Sequence, residues 1–400
     1  MRTRRSTPNH ALRCPARRGA VTRCQRPRSP SSADLLTNVA DMVKICVFGA
    51  GAIGGYLAVE LALAGHDVSV IARGAHLDAI KAKGLTLRIA GREKHASVRA
   101  SDKADEFGHQ DFVICALKAH QAHEHAQAFV PLLGPETAVV TAMNGIPWWY
   151  FYKNGGSLDG RHLESVDPGG RQWKIIGPER AIGCVVDPAC EVVAPGVIEH
   201  HEFNRFTLGE PDKSVSERVK SLGAIMTAAG FDAPIRDDIR WNVWLKLWGN
   251  VCFNPISALT HATLDRITTE PSLRALCKLM MREAKEVSDS LGVDIDESMM
   301  DRRLAAAGKA VGHKMSMLQD LERGRSMEID ALVTAVQELG RLTGVATPTI
   351  DLVLTLVQER AFQASLYRIP EARGHLHESH RPTKTARTGA GIRESKNAQQ

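Results

Sequence analysis

The short apolar run Lys44-Ile45-Cys46-Val47-Phe48 leads directly into Gly49-Ala50-Gly51-Ala52-Ile53-Gly54-Gly55. A helical apolar pattern follows through Ala62. Gly65-His66-Asp67 ends it, and residues 68–72 form a second strand pattern. This strand, glycine turn, helix and strand constrain the fold more than any other feature. Gly49 allows a tight turn, Gly51 lets the backbone approach a pyrophosphate at the positive end of the helix, and Gly54 lets helix and strand pack closely. The pattern predicts a dinucleotide site formed by Gly49, Gly51, Ala52, Ile53 and Gly54, at the head of a Rossmann-type α/β domain.

The end of the second strand bears on which dinucleotide is bound. An acidic residue there would hold a ribose 2′-hydroxyl. This chain instead has Arg73, nineteen residues after Gly54, with no acid beside it. A guanidinium suits a 2′-phosphate, so NADP(H) is expected. Two further strands end in polar residues, residues 111–117 at Lys118 and residues 137–143 at Asn144-Gly145. In an open parallel sheet such ends face the ligand crevice. Asn144 there reaches the nicotinamide or the substrate; Asn-Gly is also an ordinary turn pair.

Residues 146–177 open on Trp148-Trp149-Tyr150-Phe151-Tyr152 and contain Gly155-Gly156 and Asp167-Pro168-Gly169-Gly170. This connection is too long for an ordinary loop. It reads as a lid, a pocket wall or a decoration packed on the core. Residues 181–186 and 196–200 read as antiparallel strands, residues 206–209 as a third, and residues 215–229 as an amphipathic helix closing the domain near Arg236. His200 and His201 are adjacent and on a strand point to opposite faces, so no metal site is expected there.

From Asp237 onward every segment has helical periodicity. Residues 237–254 are expected as one helix that stops before Pro255. Helices follow over 271–291, 299–311, 315–323, 327–342 and 349–366. Within the 237–254 helix, the run from Trp244 to Pro255 is apolar nearly all round except at Lys246, Asn250 and Asn254. Residues four apart drift only about 40° around a helix, so the three form a narrow polar stripe. Buried without partners, they cost on the order of several kcal/mol. The stripe therefore marks either a ligand cleft, or a lysine that snorkels to water beside two asparagines bonded to local backbone. The domains expected are a dinucleotide-binding domain over 42–236 and an all-α domain over 237–368, with the active site between them.

The chain total of +6 is unevenly spread. Residues 1–41 carry nine Arg against two Asp, and residues 370–400 six basic against three acidic residues, which leaves −4 for residues 42–369. A nucleic-acid-binding surface on the folded part is not implied. The leader 1–41 is expected to be unstructured, as is the tail 369–400. The leader reads as a transit peptide or, preferably, as an over-extended start ahead of Met42. Eight scattered Cys without CxxC spacing fit reduced thiols and a cytoplasmic location, and no apolar run reaches membrane-spanning length.

Taken in order, Gly49–Gly55, Leu117-Lys118-Ala119, Asn144-Gly145, Lys246 through Asn250 to Asn254-Pro255, Ser316-Met317-Leu318-Gln319-Asp320 and Glu328-Ile329-Asp330 resemble the ketopantoate reductase (2-dehydropantoate 2-reductase) family over residues 42–368. The resemblance implies NADPH-dependent reduction of a 2-keto acid, ketopantoate leading, with pantoate as product for pantothenate and coenzyme A synthesis. It implies Lys246 as general acid and Glu328 as the substrate-holding carboxylate. It places Asn250, Asn254 and Ser316 at the substrate, Asn144 near the reacting centre, and Arg73 and Lys118 at the 2′-phosphate end of NADPH. Glu328 is otherwise a helix-start acid and Ser316 a helix cap. Two features depart from the family pattern. His313 stands where an asparagine is usual, and the 146–177 segment is longer. The rivals are a dehydrogenase for a bulkier keto or hydroxy acid and a non-enzymatic NADPH sensor. The oligomeric state is left open, a homodimer included.

Overall fold

In the computed structural model, which describes residues 42–368, the glycine turn joins strand to helix as expected. Eleven strands occur among the described residues: β1 (Lys44–Phe48), β2 (Asp67–Ile71), β3 (Leu85–Ile89), β4 (Arg92–Ala96), β5 (Arg99–Ser101), β6 (Gln110–Cys115), β7 (Leu133–Ala142), β8 (Ala181–Val186), β9 (Ala189–Ala194), β10 (Val197–Glu202) and β11 (Phe206–Gly209). A seven-stranded sheet has the order β11-β8-β7-β6-β1-β2-β5 and is parallel except for β11. The chain leaves β1 toward β2 on one side and later returns to β6 on the other. The crevice of a doubly wound sheet forms at such a switch point. The carboxyl ends of β1, β2, β6 and β7 deliver Gly49, Arg73, Lys118 and Asn144 to that edge.

A second, four-stranded sheet has the order β4-β3-β10-β9. Residues 181–186 and 196–200, expected above as antiparallel strands, are strands of different sheets. β8 pairs antiparallel with β11, and β10 pairs antiparallel with β9. The β3–β4 hairpin and β9 were not anticipated. Their strands alternate weakly, and β4 is mostly exposed. The glycine-turn helix (Ala52–Leu63) packs against both sheets. A Cβ on Gly54 would stand 2.0 Å from the Gly49 carbonyl oxygen, and one on Gly55 would stand 2.6 Å from Ile198. Two consecutive glycines thus let one helix touch β1 and β10 closely.

The described chain after residue 237 is helical: Ile239–Thr260, Leu264–Thr269, Pro271–Ser290, Ser298–Ala307, Ser316–Glu322, a π-helical turn Asp330–Thr334 that continues as Ala335–Thr343, and Pro348–Gln363. The first helix does not stop before Pro255 but runs through it to Thr260, where His261 caps it in the left-handed conformation. Proline costs this helix a hydrogen bond, yet residues 251–258 are all buried, and that packing outweighs the local penalty. The aromatic start of the 146–177 segment is core rather than lid, while residues 153–162 lie at or near the surface. Trp148, Trp149, Tyr150 and Phe151 are all buried. The buried Arg240 fastens the segment to the long helix by donating to the carbonyls of Tyr150 and Tyr152, both at 2.8 Å, and to that of Pro211. Trp244 Nε1 donates to the Tyr150 hydroxyl at 2.6 Å.

From Val43 onward the described residues belong to one compact unit. The leader 1–41, with Cys14 and Cys24, and the tail 369–400 lie outside the described residues. The other six cysteines are free thiols. Among the described residues, no helix is long and apolar enough to cross a membrane, and no three or more His, Cys, Asp or Glu gather in a way that could hold a metal ion.

Candidate active site

The long helix Ile239–Thr260 passes across the carboxyl edge of the sheet, packed between β8 and the helices behind it. Between it and the end of β7 lies a narrow cleft, partly open to solvent. Thr141, Met143, Asn144, Gly145, Pro147 and Trp149 line one wall, with Cys184 and Val185 from β8. Val243, Lys246, Leu247 and Asn250 line the other. Lys246, Asn250 and Asn144 thus share one space.

Lys246 is half-buried, and its Nζ donates to the Val186 carbonyl, so the ammonium does not snorkel to bulk water. Burial holds its pKa below the ordinary lysine range. Arg303 pushes in the same direction, while Asp187, Cys184 and Glu328 oppose it. Asn254, one turn beyond Asn250, is fully buried. Its Oδ1 accepts from Ser316 Oγ at 3.2 Å and from the Met317 amide at 3.3 Å. Ser316 is the first residue of its helix and not its cap. The stripe therefore divides: two members face the cleft, and the third anchors the next helix.

Glu328, just ahead of the Asp330–Thr334 turn, is buried, and its carboxylate is held from elsewhere in the fold. Oε1 accepts from the Ala119 amide at 2.9 Å. Oε2 accepts from Asn144 Nδ2 at a long 3.4 Å and lies 3.7 Å from Lys118 Nζ. Lys118 also donates to Asp320 Oδ2 at 2.5 Å. Burial works against the Lys118 ammonium, but Glu328 and Asp320 outweigh it and its pKa is raised; burial raises that of Asp320. Lys118, expected at the 2′-phosphate end of a dinucleotide, is thus engaged by two carboxylates from the helical half.

At the other end of the edge the glycine turn presents an open cradle. The amides of Gly49 and Ala50 both donate to the Ile71 carbonyl, at 3.1 and 3.0 Å. Gly51 begins the helix, is exposed, and has nothing within 4 Å of where a Cβ would stand. The first-turn amides of Ala52 and Ile53 precede any intrahelical acceptor, and no acidic side chain occupies that turn. This arrangement fits a pyrophosphate. Arg73 is exposed at the start of the helix Gly74–Lys83, whose first turn also lacks an acid.

Sequence reasoning missed three groups. Arg303 lies across Gly249, where a Cβ would stand 2.8 Å from its Nε, and Nη2 donates to the Lys246 carbonyl at 3.1 Å. Asp187 follows Val186, the acceptor for Lys246. His120 has both ring nitrogens buried without a hydrogen-bond partner, and burial lowers its pKa despite the nearby Glu328. None carries a local signal, since each acts on residues far away in sequence. His313, the departure noted above, accepts the Leu264 amide on its backbone carbonyl at 2.8 Å.

The family model described as Ketopantoate reductase PanE/ApbA matches residues 45–213, and the model of its C terminal part matches residues 238–361. A 2-dehydropantoate 2-reductase of Mesorhizobium japonicum is 57% identical over 326 residues, covering 81% of this chain and 100% of that protein. A Ralstonia solanacearum structure provisionally named a ketopantoate reductase is 43% identical, with a TM-score of 0.78, over 82% of this chain and 100% of that one. The 2-dehydropantoate 2-reductase structure from Methylococcus capsulatus is 27% identical, with a TM-score of 0.68, over 80% and 97%. With both family models matched across most of its length, the chain belongs to the ketopantoate reductase family.

Proposed function

We propose that this protein, a dinucleotide-dependent oxidoreductase by its family, reduces 2-dehydropantoate (ketopantoate) to pantoate with NADPH, in the cytoplasm and as a step toward pantothenate and coenzyme A. The observation that carries the reading is the shared cleft. Lys246 and Asn250 face Asn144 across it, and Asn144 touches Glu328.

Gly49, Gly51, Ala52, Ile53 and Gly54 would hold the pyrophosphate, and Arg73 would hold the 2′-phosphate. Lys118 is already shared by Asp320 and Glu328, so we assign it to positioning those two carboxylates at the cofactor's edge. A nicotinamide held at this edge would supply a hydride to the 2-keto carbon. As the carbonyl electrons move to oxygen, the Lys246 ammonium gives that oxygen its proton and is left as a neutral amine, which regains a proton from water. A lysine with a lowered pKa is a better acid at neutral pH than an ordinary one. Asn250 and Ser316 bind the substrate's polar atoms without adding charge, Asn254 holds Ser316 in place for this, Asn144 steadies the reacting centre, and Glu328 accepts a substrate hydroxyl. A homodimer is the assembly we propose.

The test is a panel of 2-keto acids, each with NADPH and with NADH, followed by dinucleotide absorbance. We expect turnover of ketopantoate with NADPH preferred, and a loss of about a hundredfold or more in Lys246→Ala with NADPH binding retained. Turnover confined to bulkier keto acids rejects ketopantoate as the substrate. Absence of turnover on every member rejects the enzyme reading.

A further inference from the structure

Outside the cleft, one imidazole touches the glycine turn from behind. His76 lies in the helix Gly74–Lys83. Its Nε2 is 2.7 Å from the Ala50 carbonyl oxygen, and its Nδ1 is 3.0 Å from the Gly196 amide nitrogen. A carbonyl only accepts and an amide only donates. The two contacts therefore fix a neutral ring with its proton on Nε2. Gly196 sits in the turn between β9 and β10 and itself accepts the Thr86 amide of β3 at 2.8 Å. The ring is thus held from the small sheet and holds the turn in its turn.

The Ala50 carbonyl belongs to the same peptide unit as the Gly51 N–H. In a trans peptide these two groups point in opposite directions, and no cis peptide occurs among the described residues. Fixing the carbonyl toward His76 aims the Gly51 N–H away from it. The preceding amides of Gly49 and Ala50 are committed to Ile71. Gly51 is therefore the first amide of the turn left for a ligand, and its surroundings are open.

We propose that His76 is a positioning residue for the dinucleotide: by gripping the Ala50 carbonyl it sets the peptide plane that offers the Gly51 N–H to a pyrophosphate oxygen. This rests on the dinucleotide reading given above. His76 does not touch the ligand; it acts through the turn.

Three variants separate this role from a general structural one. In His76→Gln the side-chain amide NH2 has nearly the reach of Nε2 and keeps the bond to Ala50. In His76→Asn the side-chain oxygen takes the place of Nδ1 and keeps only the bond to Gly196. His76→Ala keeps neither. NADPH is titrated calorimetrically into the full chain, with steady-state kinetics on ketopantoate alongside. We expect Kd and KM for NADPH to rise about tenfold in Ala and Asn, with kcat at saturating NADPH within about twofold of wild type, and most of the affinity to return in Gln. Equal affinity in wild type and Ala, or Asn matching Gln, overturns the proposal while leaving the dinucleotide reading intact. A wild-type chain that binds no NADPH removes that reading instead. Melting temperatures accompany each titration, and if the Ala variant does not fold, the Asn and Gln comparison decides.

Discussion

Under the proposed mechanism Lys246 acts as an acid only while it is protonated, so its lowered pKa is expected to set the alkaline limit of activity. As pH rises through that pKa, turnover falls, and the fall begins below the ordinary lysine range. The neighbours give this a sign. Asp187 favours the charged form, so Asp187→Asn lowers the pKa further and moves the alkaline limb of kcat/KM to lower pH. Arg303 disfavours it, so Arg303→Met moves the limb to higher pH. Profiles of the two variants that shift together, or not at all, would refute Lys246 as the titrating acid. At this scale the sequence was legible where a residue sits at the end of a motif. Gly51, Arg73 and Asn144 follow from strand ends. Arg303, Asp187 and His76 do not, since their partners lie 57, 59 and 26 residues away and only the fold brings them near.

Among elements, the π-helical turn after Glu328 does more than continue a helix. Its Ala331 carbonyl accepts the Ile146 amide at 3.0 Å, joining the loop after β7 to the helical half. Such turns recur at functional sites. Gly145 makes the approach feasible. Its φ is +88°, and a Cβ there would stand 2.3 Å from the Ala331 carbonyl oxygen. Gly145→Ala is expected to cost about 1–3 kcal/mol of stability and to lower kcat/KM as Asn144 and Glu328 lose their register. Thermal melting and steady-state kinetics check it, and wild-type values in both would show the contact to be idle. The element boundaries least visible in the sequence were those where tertiary burial overrode a local rule. Pro255 argued for a helix end, yet the buried residues on either side of it carried the helix on. The β3–β4 hairpin has its edge strand β4 in water, and the sequence carried too little apolar alternation to reveal it.

For the whole molecule, the aromatic segment ties sheet and helices together. Trp149 is fully buried, donates to the Thr141 hydroxyl at 2.9 Å, and forms part of the cleft wall. Trp149→Ala should therefore destabilise the protein by about 3–5 kcal/mol, read as a lower urea midpoint. A detachable lid would give up its tryptophan with no change in that midpoint. The segment's length marked it as unusual in the sequence. Its burial could not be read there, because its packing partners, such as Arg240 and Trp244, come from a helix that begins about sixty residues later.

The bond between Ile146 and Ala331 also bears on how the site measures a guest. Asn144 and Glu328 come from opposite halves of the chain, yet they sit beside that bond and touch each other, forming one jaw of the cleft. The opposing jaw is the helix face bearing Lys246 and Asn250. Any widening of the cleft is expected to alter the gap between the jaws more than the Asn144–Glu328 spacing. Selection for a larger keto acid would then act on the helix side, and the first jaw would persist as a fixed gauge.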